Sequence, residues 1–191
     1  MAVKTLFFDQ GATFSKDRLY RYRLWRRWES ASCRKVAFIM LNPSTADAET
    51  FDPTVRRCFG YARDWGFGSM EVVNLFALRS TYPEQLKKAR DPVGPENDDA
   101  ILQAVLESDL AVAAWGVHGR LYGRDLAVQR LVAGIRDLHC IGTTKAGAPL
   151  HPLHQPKKLC PVLYRCAGPD PDIMRPGNGT GWHVRTGIRV R

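Results

Sequence analysis

Residues 36–47 read VAFIMLNPSTAD, a run of six apolar residues followed directly by an Asn-Pro-Ser-Thr turn. Such a run is too short to span a membrane and is typical of a strand buried on both faces of a parallel sheet. Pro43 restricts Asn42 to an extended conformation, so the strand ends at a polar residue of fixed geometry. Ligands of open α/β sheets bind in the crevice beyond the carboxyl ends of the strands. Asn42 is therefore placed to contact a substrate, and the same four residues also fit a tight turn that leads into a helix cap.

The rest of the chain continues in a strand–helix rhythm. Asp52-Pro53 predicts the start of a helix with proline at its first position, and Gly66 predicts its end. Apolar runs predict three further strands at 70–73, 110–116 and 138–142, and helices over 98–107, with Asn97 as its cap, and 121–135. The pattern predicts the α/β class, as a three-layer α/β/α fold around a central, mostly parallel four-stranded sheet.

An arginine-rich segment precedes this unit, at residues 19–28 (LYRYRLWRRW). Its tyrosines and Leu24 alternate with Arg21 and Arg23, the pattern of a half-buried strand. We therefore expect an N-terminal β-hairpin whose outer face carries arginines. That face fits a solvated edge strand protected by charge, and it fits equally a ribbon that contacts phosphates.

Basic residues are concentrated at the two ends of the chain, which carries a net charge of +9. Residues 1–36 hold nine Lys and Arg against three Asp and Glu, and residues 145–191 hold eight against two. The middle, 37–144, holds eleven against fourteen. A near-neutral centre with basic ends favours an anionic polymer as partner over a small neutral metabolite. Basic tails that only aid solubility are the plainer alternative.

With 191 residues, the chain is long enough for one domain with a substantial core. We expect that single α/β domain to cover residues 1–165. Residues 166–191 are basic and rich in proline and glycine, which is typical of an extension that is ordered only against a partner. No apolar run reaches membrane-spanning length and the first residues do not resemble a signal peptide, so we expect no membrane partner and a cytoplasmic location.

Cysteine usage agrees with that location. The chain has five cysteines, an odd number without CxxC spacing, which predicts reduced thiols. His151, His154, Cys160 and Cys166 match none of the usual zinc spacings, so we predict no metal site. The chain also lacks GxGxxG, P-loop and GxSxG motifs, and we expect no cofactor.

Polar residues follow each of the four strands predicted after residue 35. They are Asn42, Asn74 with Arg79, His118 with Arg120, and Lys145 with His151. Four such strand ends predict a cleft. Asparagine can hold a water molecule or read a base edge, and histidine can stabilise negative charge that develops on an oxygen. These side chains fit a reaction in which a leaving group departs with its electrons and water follows. Trp115, beside them, is expected to belong to the core.

Three motifs resemble those of the uracil-DNA glycosylase superfamily: LNPS at 41–44, VVNLFALR at 72–79 and HPL at 151–153. The first is similar to the Asn-Pro form of the mismatch-specific and thymine-DNA glycosylase branch. The second resembles the strand whose Asn reads the extruded base, and the third resembles a closing His-Pro-Ser motif. Over residues 12–160 the chain also resembles an uncharacterised bacterial and phage family, domain of unknown function 1643, through LNPSTAD, NLFALR, AAWGxHG and GxTKxGxPxHPL.

The glycosylase resemblance implies a uracil-DNA-glycosylase-like fold and a role for each matching residue. Asn42 would position the water that attacks the sugar carbon, and His151 would stabilise the departing base anion. Base contacts would come from Asn74, Phe51, Pro43 and Ser44, with the Phe51 ring stacked on the flipped base. Leu153 would wedge into the gap in the base stack, and Lys145, Arg79, Arg120, Lys157 and Lys158 would contact phosphates. The chain departs from the superfamily pattern in having no Asp in the first motif and Leu153 in place of Ser.

The resemblance therefore implies a DNA N-glycosylase that excises a deaminated or modified base by base flipping and water attack. We expect it to act as a monomer on single- or double-stranded DNA. One alternative is a nucleic-acid-binding module without catalysis, such as a sensor of modified DNA. Another is a hydrolase or transferase of free nucleotides or nucleosides. Salt-sensitive DNA binding separates the first two hypotheses from the third, and abasic sites separate the first from the second.

Overall fold

The computed structural model describes residues 9–28, 31–44 and 52–165 of the chain. Its strands are β1 (Asp9–Phe14), β2 (Arg21–Arg27), β3 (Lys35–Met40), β4 (Ser69–Asn74), β5 (Leu110–Ala113), β6 (Leu138–Cys140) and β7 (Val162–Leu163). Its helices are α1 (Pro53–Asp64), α2 (Pro83–Lys88), α3 (Asn97–Leu106) and α4 (Arg124–Val132), and a 3₁₀ segment, Val117–Gly123, precedes α4. Phe51 and the predicted extension 166–191 lie outside the described residues.

The strands form one mixed sheet in the order β1-β2-β4-β3-β5-β6-β7. The four strands predicted after residue 35 are its parallel centre, β4-β3-β5-β6, and the α/β class is confirmed. The predicted count of four strands is wrong. The hairpin β1–β2 pairs antiparallel with β4, and β7 pairs antiparallel with β6, so the described residues form a sheet of seven strands. β7 has only two residues, too few to produce a periodic signal in the sequence.

Helices cover both faces of the parallel centre because its strands are apolar on both sides. Val36, Phe38 and Met40 of β3 pack in one cluster with residues of α1. Ile39, which points to the opposite face, packs in a second cluster with residues of α3 and α4. This arrangement explains the unbroken apolar run at 36–41, since a strand covered on both faces needs no polar side.

β2 is an interior strand, and a bulge in it changes the direction of Arg21. Thr13 pairs with Arg23 and Phe14 with Arg21, so Tyr22 is an extra residue on β2. Tyr22 packs against the α3 side of the sheet, while Arg21 points to the α1 side and is only 4% exposed. Bulges commonly re-aim a side chain in this way. The expectation of an exposed arginine face is therefore wrong for Arg21, because β2 is covered by β4 and by the helices.

Arg23 of the same strand is half-buried and held in an ion network. The buried Glu71 of β4 pairs with both Arg23 and Lys35, and both cations also reach Glu107, at 2.6 and 2.9 Å. The hydrogen bond between the Arg23 guanidinium and the Glu71 carboxylate raises the pKa of Arg23. The network lies at the amino ends of β3 and β4, away from the carboxyl ends where ligands of such sheets bind.

Helix starts were predicted well for α1 and poorly for α3. Pro53 is the first residue of α1, and the Asp52 side chain caps it by accepting a hydrogen bond from the Val55 amide at 2.8 Å. The predicted Asn97 cap is wrong: Asn97 is itself the first helical residue, and Glu96 is the cap. The predicted helix 121–135 is shorter than expected, since the chain has positive φ at Tyr122 and Gly123 before α4 begins at Arg124.

Asn97 instead connects α3 to the end of β4. Its side-chain nitrogen donates to the backbone carbonyls of Asn74 and Leu75, at 3.0 Å each, and the residue is fully buried. We expect Asn97→Ala to lower the free energy of unfolding by about 1–3 kcal/mol, because two buried carbonyls lose a donor. Urea unfolding measures this. Asn97→Asp serves as the matched variant: its carboxylate cannot donate, so we expect at least an equal loss. A change below about 0.5 kcal/mol in both variants would contradict the assignment.

The connections place a crevice at the carboxyl end of β3. From β3 the chain crosses through α1 to β4 on one side, and from β4 it returns through α2 and α3 to β5 on the other side. A reversal of this kind makes a topological switch point, where ligands of open α/β sheets bind. Within the described residues, no helix combines the length and the apolar character needed to cross a bilayer.

Candidate functional site

A cavity of about 340 Å³ opens at this switch point, within the size range of small-molecule pockets, roughly 300–1,000 Å³. Its walls come from the carboxyl ends of β3 and β4, the start of α1, the 3₁₀ segment after β5 and the loop at 151. Five of the polar residues that the sequence placed at the cleft or in the motifs line this cavity: Asn42, Ser44, Asn74, His118 and His151. Two charged residues that were not predicted, Arg21 and Asp52, also line it.

A larger cavity, of about 550 Å³, lies at the opposite end of the sheet. Its walls include the ion network of Arg23, Lys35, Glu71 and Glu107. In that network each charge already faces an opposite charge. The smaller cavity lies at the switch point and brings the predicted residues together, which is why we take it as the candidate functional site.

Asn42 holds the turn that forms one wall of the pocket. Its side-chain nitrogen donates to the backbone carbonyls of Pro43, at 3.1 Å, and Ser80, at 2.8 Å. The Ser80 amide in turn donates to the carbonyl of the buried Pro43, at 2.9 Å. Since the nitrogen is used by the turn, the side-chain oxygen is the group that Asn42 can offer to a ligand or a water molecule. The residue therefore has a structural role and keeps an acceptor for chemistry.

Asn74 and Arg21 present donors from neighbouring strands. Asn74 is 2% exposed, and its side-chain nitrogen has no hydrogen-bond partner among the described residues. The Nε of Arg21 is also buried without a hydrogen-bond partner among the described residues. Burial lowers the pKa of Arg21 to about 10, with the nearby Asp52 carboxylate opposing the shift, so the guanidinium stays charged at neutral pH. Buried donors without partners are rare in folded proteins, so these two are the pocket groups most able to bind an acceptor of a ligand.

Asp52 adds a carboxylate to the pocket. Besides capping α1, Asp52 accepts a hydrogen bond from Ser44 Oγ at 3.4 Å. This bond links the two residues that flank positions 45–51. Among the described residues that line the pocket, Asp52 is the only acidic one. The sequence contained a signal for it, Asp-Pro at a helix start, but capping alone accounts for that signal. Its position in the pocket depends on the fold.

His151 is held as a neutral donor. The Leu153 amide donates to His151 Nδ1 at 3.2 Å. Burial lowers the pKa of His151, while Asp52 acts in the opposite direction and His154 adds to the lowering. In a neutral ring whose Nδ1 accepts a hydrogen bond, the proton resides on Nε2. His151 therefore offers an N–H group that can stabilise negative charge on a ligand oxygen without carrying a charge itself.

Comparisons with known proteins bear on this region of the chain. A protein-family model described as "Protein of unknown function (DUF1643)" matches residues 21–153, more than two thirds of the chain. The chain belongs to this family. The DUF1643 match begins at Arg21 and ends at Leu153, so it contains every residue that lines the pocket. No curated protein and no solved structure matches the chain.

The other predicted residues that the structure describes, Pro43 and Leu153 among them, are not in the pocket wall of this DUF1643 chain. Lys145 is exposed in a turn, and Arg120 donates to the carbonyl of its neighbour Ala146 at 2.6 Å. Lys157 and Lys158 are exposed on the segment that follows His151. Arg79 donates to the Arg18 carbonyl at 3.1 Å, and its guanidinium lies 5.3 Å from the Phe14 ring centre.

No described part of the DUF1643 chain brings together three or more His, Cys, Asp or Glu side chains in a group that could hold a metal ion. The described cysteines, Cys33, Cys58, Cys140 and Cys160, are free thiols.

The lowered pKa of His151 is directly measurable. We expect its imidazole to titrate below 6.5 in NMR spectra, with the signal assigned by its absence in His151→Gln. The unfolded chain takes up this proton near pH 6.5 and the folded chain only at lower pH. The stabilising contribution of neutral His151 is therefore complete above pH 6.5 and is lost as the pH falls towards the folded pKa. The unfolding free energy of His151→Gln should vary less over that window. A midpoint above 6.5 would contradict the neutral-donor assignment.

Proposed function

We propose that this DUF1643 chain is a DNA N-glycosylase that excises a deaminated or modified base by base flipping and water attack at the sugar carbon. The observation that supports the proposal is that Asn42, Asn74 and His151, far apart in sequence, line one cavity. They belong to the three motifs that resemble the uracil-DNA glycosylase superfamily, in the same order along the chain. The cavity is large enough for one flipped base.

In the proposed reaction, residues on one side of the pocket activate the water molecule, and residues on the other side bind the departing base. On one side the Asn42 oxygen holds a water molecule, which attacks the sugar carbon, and the Asp52 carboxylate accepts its proton. On the other side the bond between the sugar and the base breaks, and its electron pair leaves with the base. His151 Nε2–H donates to the base oxygen on which that charge accumulates, as oxyanion donors do in other enzymes. Asn74 hydrogen-bonds the base edge. The products are a free base and an abasic site.

A basic groove beside the pocket supports DNA as the substrate. Arg56, Arg57 and Arg63 of α1 and Lys157 line a groove of about 350 Å³ along a helix that begins at the pocket. Flipping a base out of a duplex costs a few kcal/mol, and phosphate contacts can supply that free energy. Lys158, Lys145 and Arg120 are exposed and extend the set of proposed phosphate contacts.

The test uses duplex and single-stranded oligonucleotides that each carry one uracil, hypoxanthine, 5-hydroxymethyluracil or unmodified base. Each is incubated with the full chain and then treated with alkali, which cleaves the strand at abasic sites. We expect cleavage at one class of modified base, and loss of it in Asn42→Ala. Thr54→Ala, a substitution at a polar residue that also lines the pocket but has no role in the proposed mechanism, is the matched control and should retain activity.

Two other outcomes replace the proposal with the alternative hypotheses. Salt-sensitive binding to a modified oligonucleotide without any abasic product indicates a non-catalytic sensor of modified DNA. Absence of DNA binding at low salt, together with hydrolysis of nucleotides or nucleosides, indicates an enzyme that acts on free substrates. Binding is measured at several salt concentrations, because contacts with phosphates impose a steep dependence on salt.

A further inference from the structure

Arg21 is a buried cation for which the described residues provide no direct partner. The residue is 4% exposed and lines the candidate pocket. Its backbone pairs with Ala77, but none of the described side chains or carbonyls forms a hydrogen bond or an ion pair with its guanidinium. Its buried Nε–H group therefore has no acceptor within the described part of the protein.

An arginine in this state is costly for the fold. An ionised group removed from water loses several kcal/mol of solvation unless an opposite charge and hydrogen bonds replace the water. Asp52 attracts Arg21 through space, but Arg79 and Arg26 oppose that attraction. Both Asp52 oxygens also already accept hydrogen bonds, from Val55 and Ser44. The β-bulge that turns Arg21 into the pocket is thus a feature of the fold that stability does not explain.

Asn74 adds a donor on the neighbouring strand. Its unpartnered Nδ2 lines the same pocket from β4, which pairs with β2. The pocket thus contains a charged fork and an amide donor, both buried. Arginine forks match the two oxygens of a planar or tetrahedral oxyanion and bind them through two parallel hydrogen bonds.

We infer that Arg21 and Asn74 bind an oxyanion group, a carboxylate or a phosphate, on the ligand of this pocket. The inference rests on the proposed function only in taking this pocket as the substrate site. Two sources supply such a group: a base with a carboxylate substituent in a DNA strand, and the phosphate of a free mononucleotide. In both cases the anion pairs with the Arg21 guanidinium, and neutral bases without an oxyanion bind more weakly.

The experiment compares two matched pairs of probes. The first pair is an oligonucleotide with one 5-carboxyuracil and the same oligonucleotide with uracil; the second is deoxyuridine monophosphate and deoxyuridine. Calorimetry on the full chain should show that the anionic member of one pair binds about 10- to 100-fold more tightly than its neutral partner. The pair that shows the preference identifies the source of the oxyanion. Equal affinities within both pairs overturn the inference.

Three variants separate the role of Arg21 from a general effect of charge. Arg21→Gln should abolish the preference for the anionic probe. Arg21→Lys keeps the charge without the fork and should retain part of it. Arg130→Gln removes an exposed arginine of α4, on the far side of the sheet from α1, and should leave the preference unchanged. An anion preference that persists in Arg21→Gln overturns the inference.

Thermal unfolding of the ligand-free variants gives an independent readout. If Arg21 exists to bind a ligand, Arg21→Gln removes an uncompensated buried charge, and its Tm should equal or exceed that of the wild type. A lower Tm by several degrees would assign Arg21 to the fold and overturn the inference. Failure of the proposed function is distinguishable, since oxyanion binding without abasic product leaves this inference standing. Slower excision by Arg21→Gln with unchanged binding would instead place Arg21 on the leaving group and overturn it.

Discussion

Under the proposed glycosylase function, His151→Gln is expected to lower the rate of base excision by about 100- to 1,000-fold while leaving the affinity for DNA unchanged. The expected loss is large because a neutral N–H donor acts on charge that exists only as the bond to the base breaks. A ground-state contact would alter binding instead. Single-turnover excision with enzyme in excess measures the chemical step directly, and binding to an uncleavable analogue of the substrate measures affinity.

His139→Gln is the matched control for this variant, since His139 lies on β6 and does not line the pocket. Its excision rate should equal that of the wild type. As far as His151 is concerned, any fall of the wild-type rate with pH should begin at a lower pH than for an ordinary histidine, because burial lowers the pKa of this ring. If His151→Gln weakened DNA binding and the rate in equal proportion, His151 would be a binding residue and the proposed chemistry would fail.

The parallel centre of the sheet was predictable from sequence because its signals are local. A strand buried on both faces reads as a short apolar run, and the run at 36–41 is such a strand. Asp52-Pro53 identified the start of α1 for the same reason, since capping involves only neighbouring residues. The positions of Asn42 and Asn74 at strand ends then followed from the direction of parallel strands.

Arg21 shows why other features of the sheet could not be predicted from the sequence. Alternation along β2 assigned it to the same face as Arg23, and a single extra residue in the strand reverses that assignment. The tyrosine at position 22 does not by itself indicate a bulge, because a bulge arises from the pairing of a strand with its neighbour. The two-residue strand β7 and the attachment of the hairpin to β4 also depend on long-range pairing that periodicity does not record.

Residues with two compatible roles were the other source of error. Asn97 has the residue type of a helix cap, yet its buried amide donates to the end of β4. Asp52 is a cap and also a wall of the pocket. Trp115 was predicted to be core, and it is, but it lines the pocket as well. Sequence patterns identify the first role in each case, whereas the second depends on which elements the fold brings together.

Trp115→Ala is expected to lower the free energy of unfolding by about 3–5 kcal/mol. The Trp115 ring is 2% exposed and meets the Tyr164 ring edge-on, with 5.8 Å between the ring centres. The backbone of the 3₁₀ segment also packs on it: a Cβ added at Gly119 would lie 2.0 Å from Trp115 Cδ1. Truncation of Trp115 therefore leaves a void beneath the 3₁₀ segment, and we expect the neighbouring backbone not to move far enough to fill it. For a chain of this size, the loss corresponds to a fall in Tm of about 10 °C.

Two further variants serve as controls: Trp115→Phe is the conservative substitution, and Leu106→Ala truncates an exposed side chain. Phenylalanine retains an edge-on contact with Tyr164 and should recover more than half of the loss. Leu106 is 55% exposed, so its truncation should change stability by less than about 0.5 kcal/mol. Because Trp115 forms part of the pocket wall, ligand affinity should fall in Trp115→Ala even at temperatures where the chain remains folded. A loss of stability below about 1 kcal/mol would mean that the 3₁₀ segment collapses onto the void, and the pocket would then not depend on Trp115 for its shape.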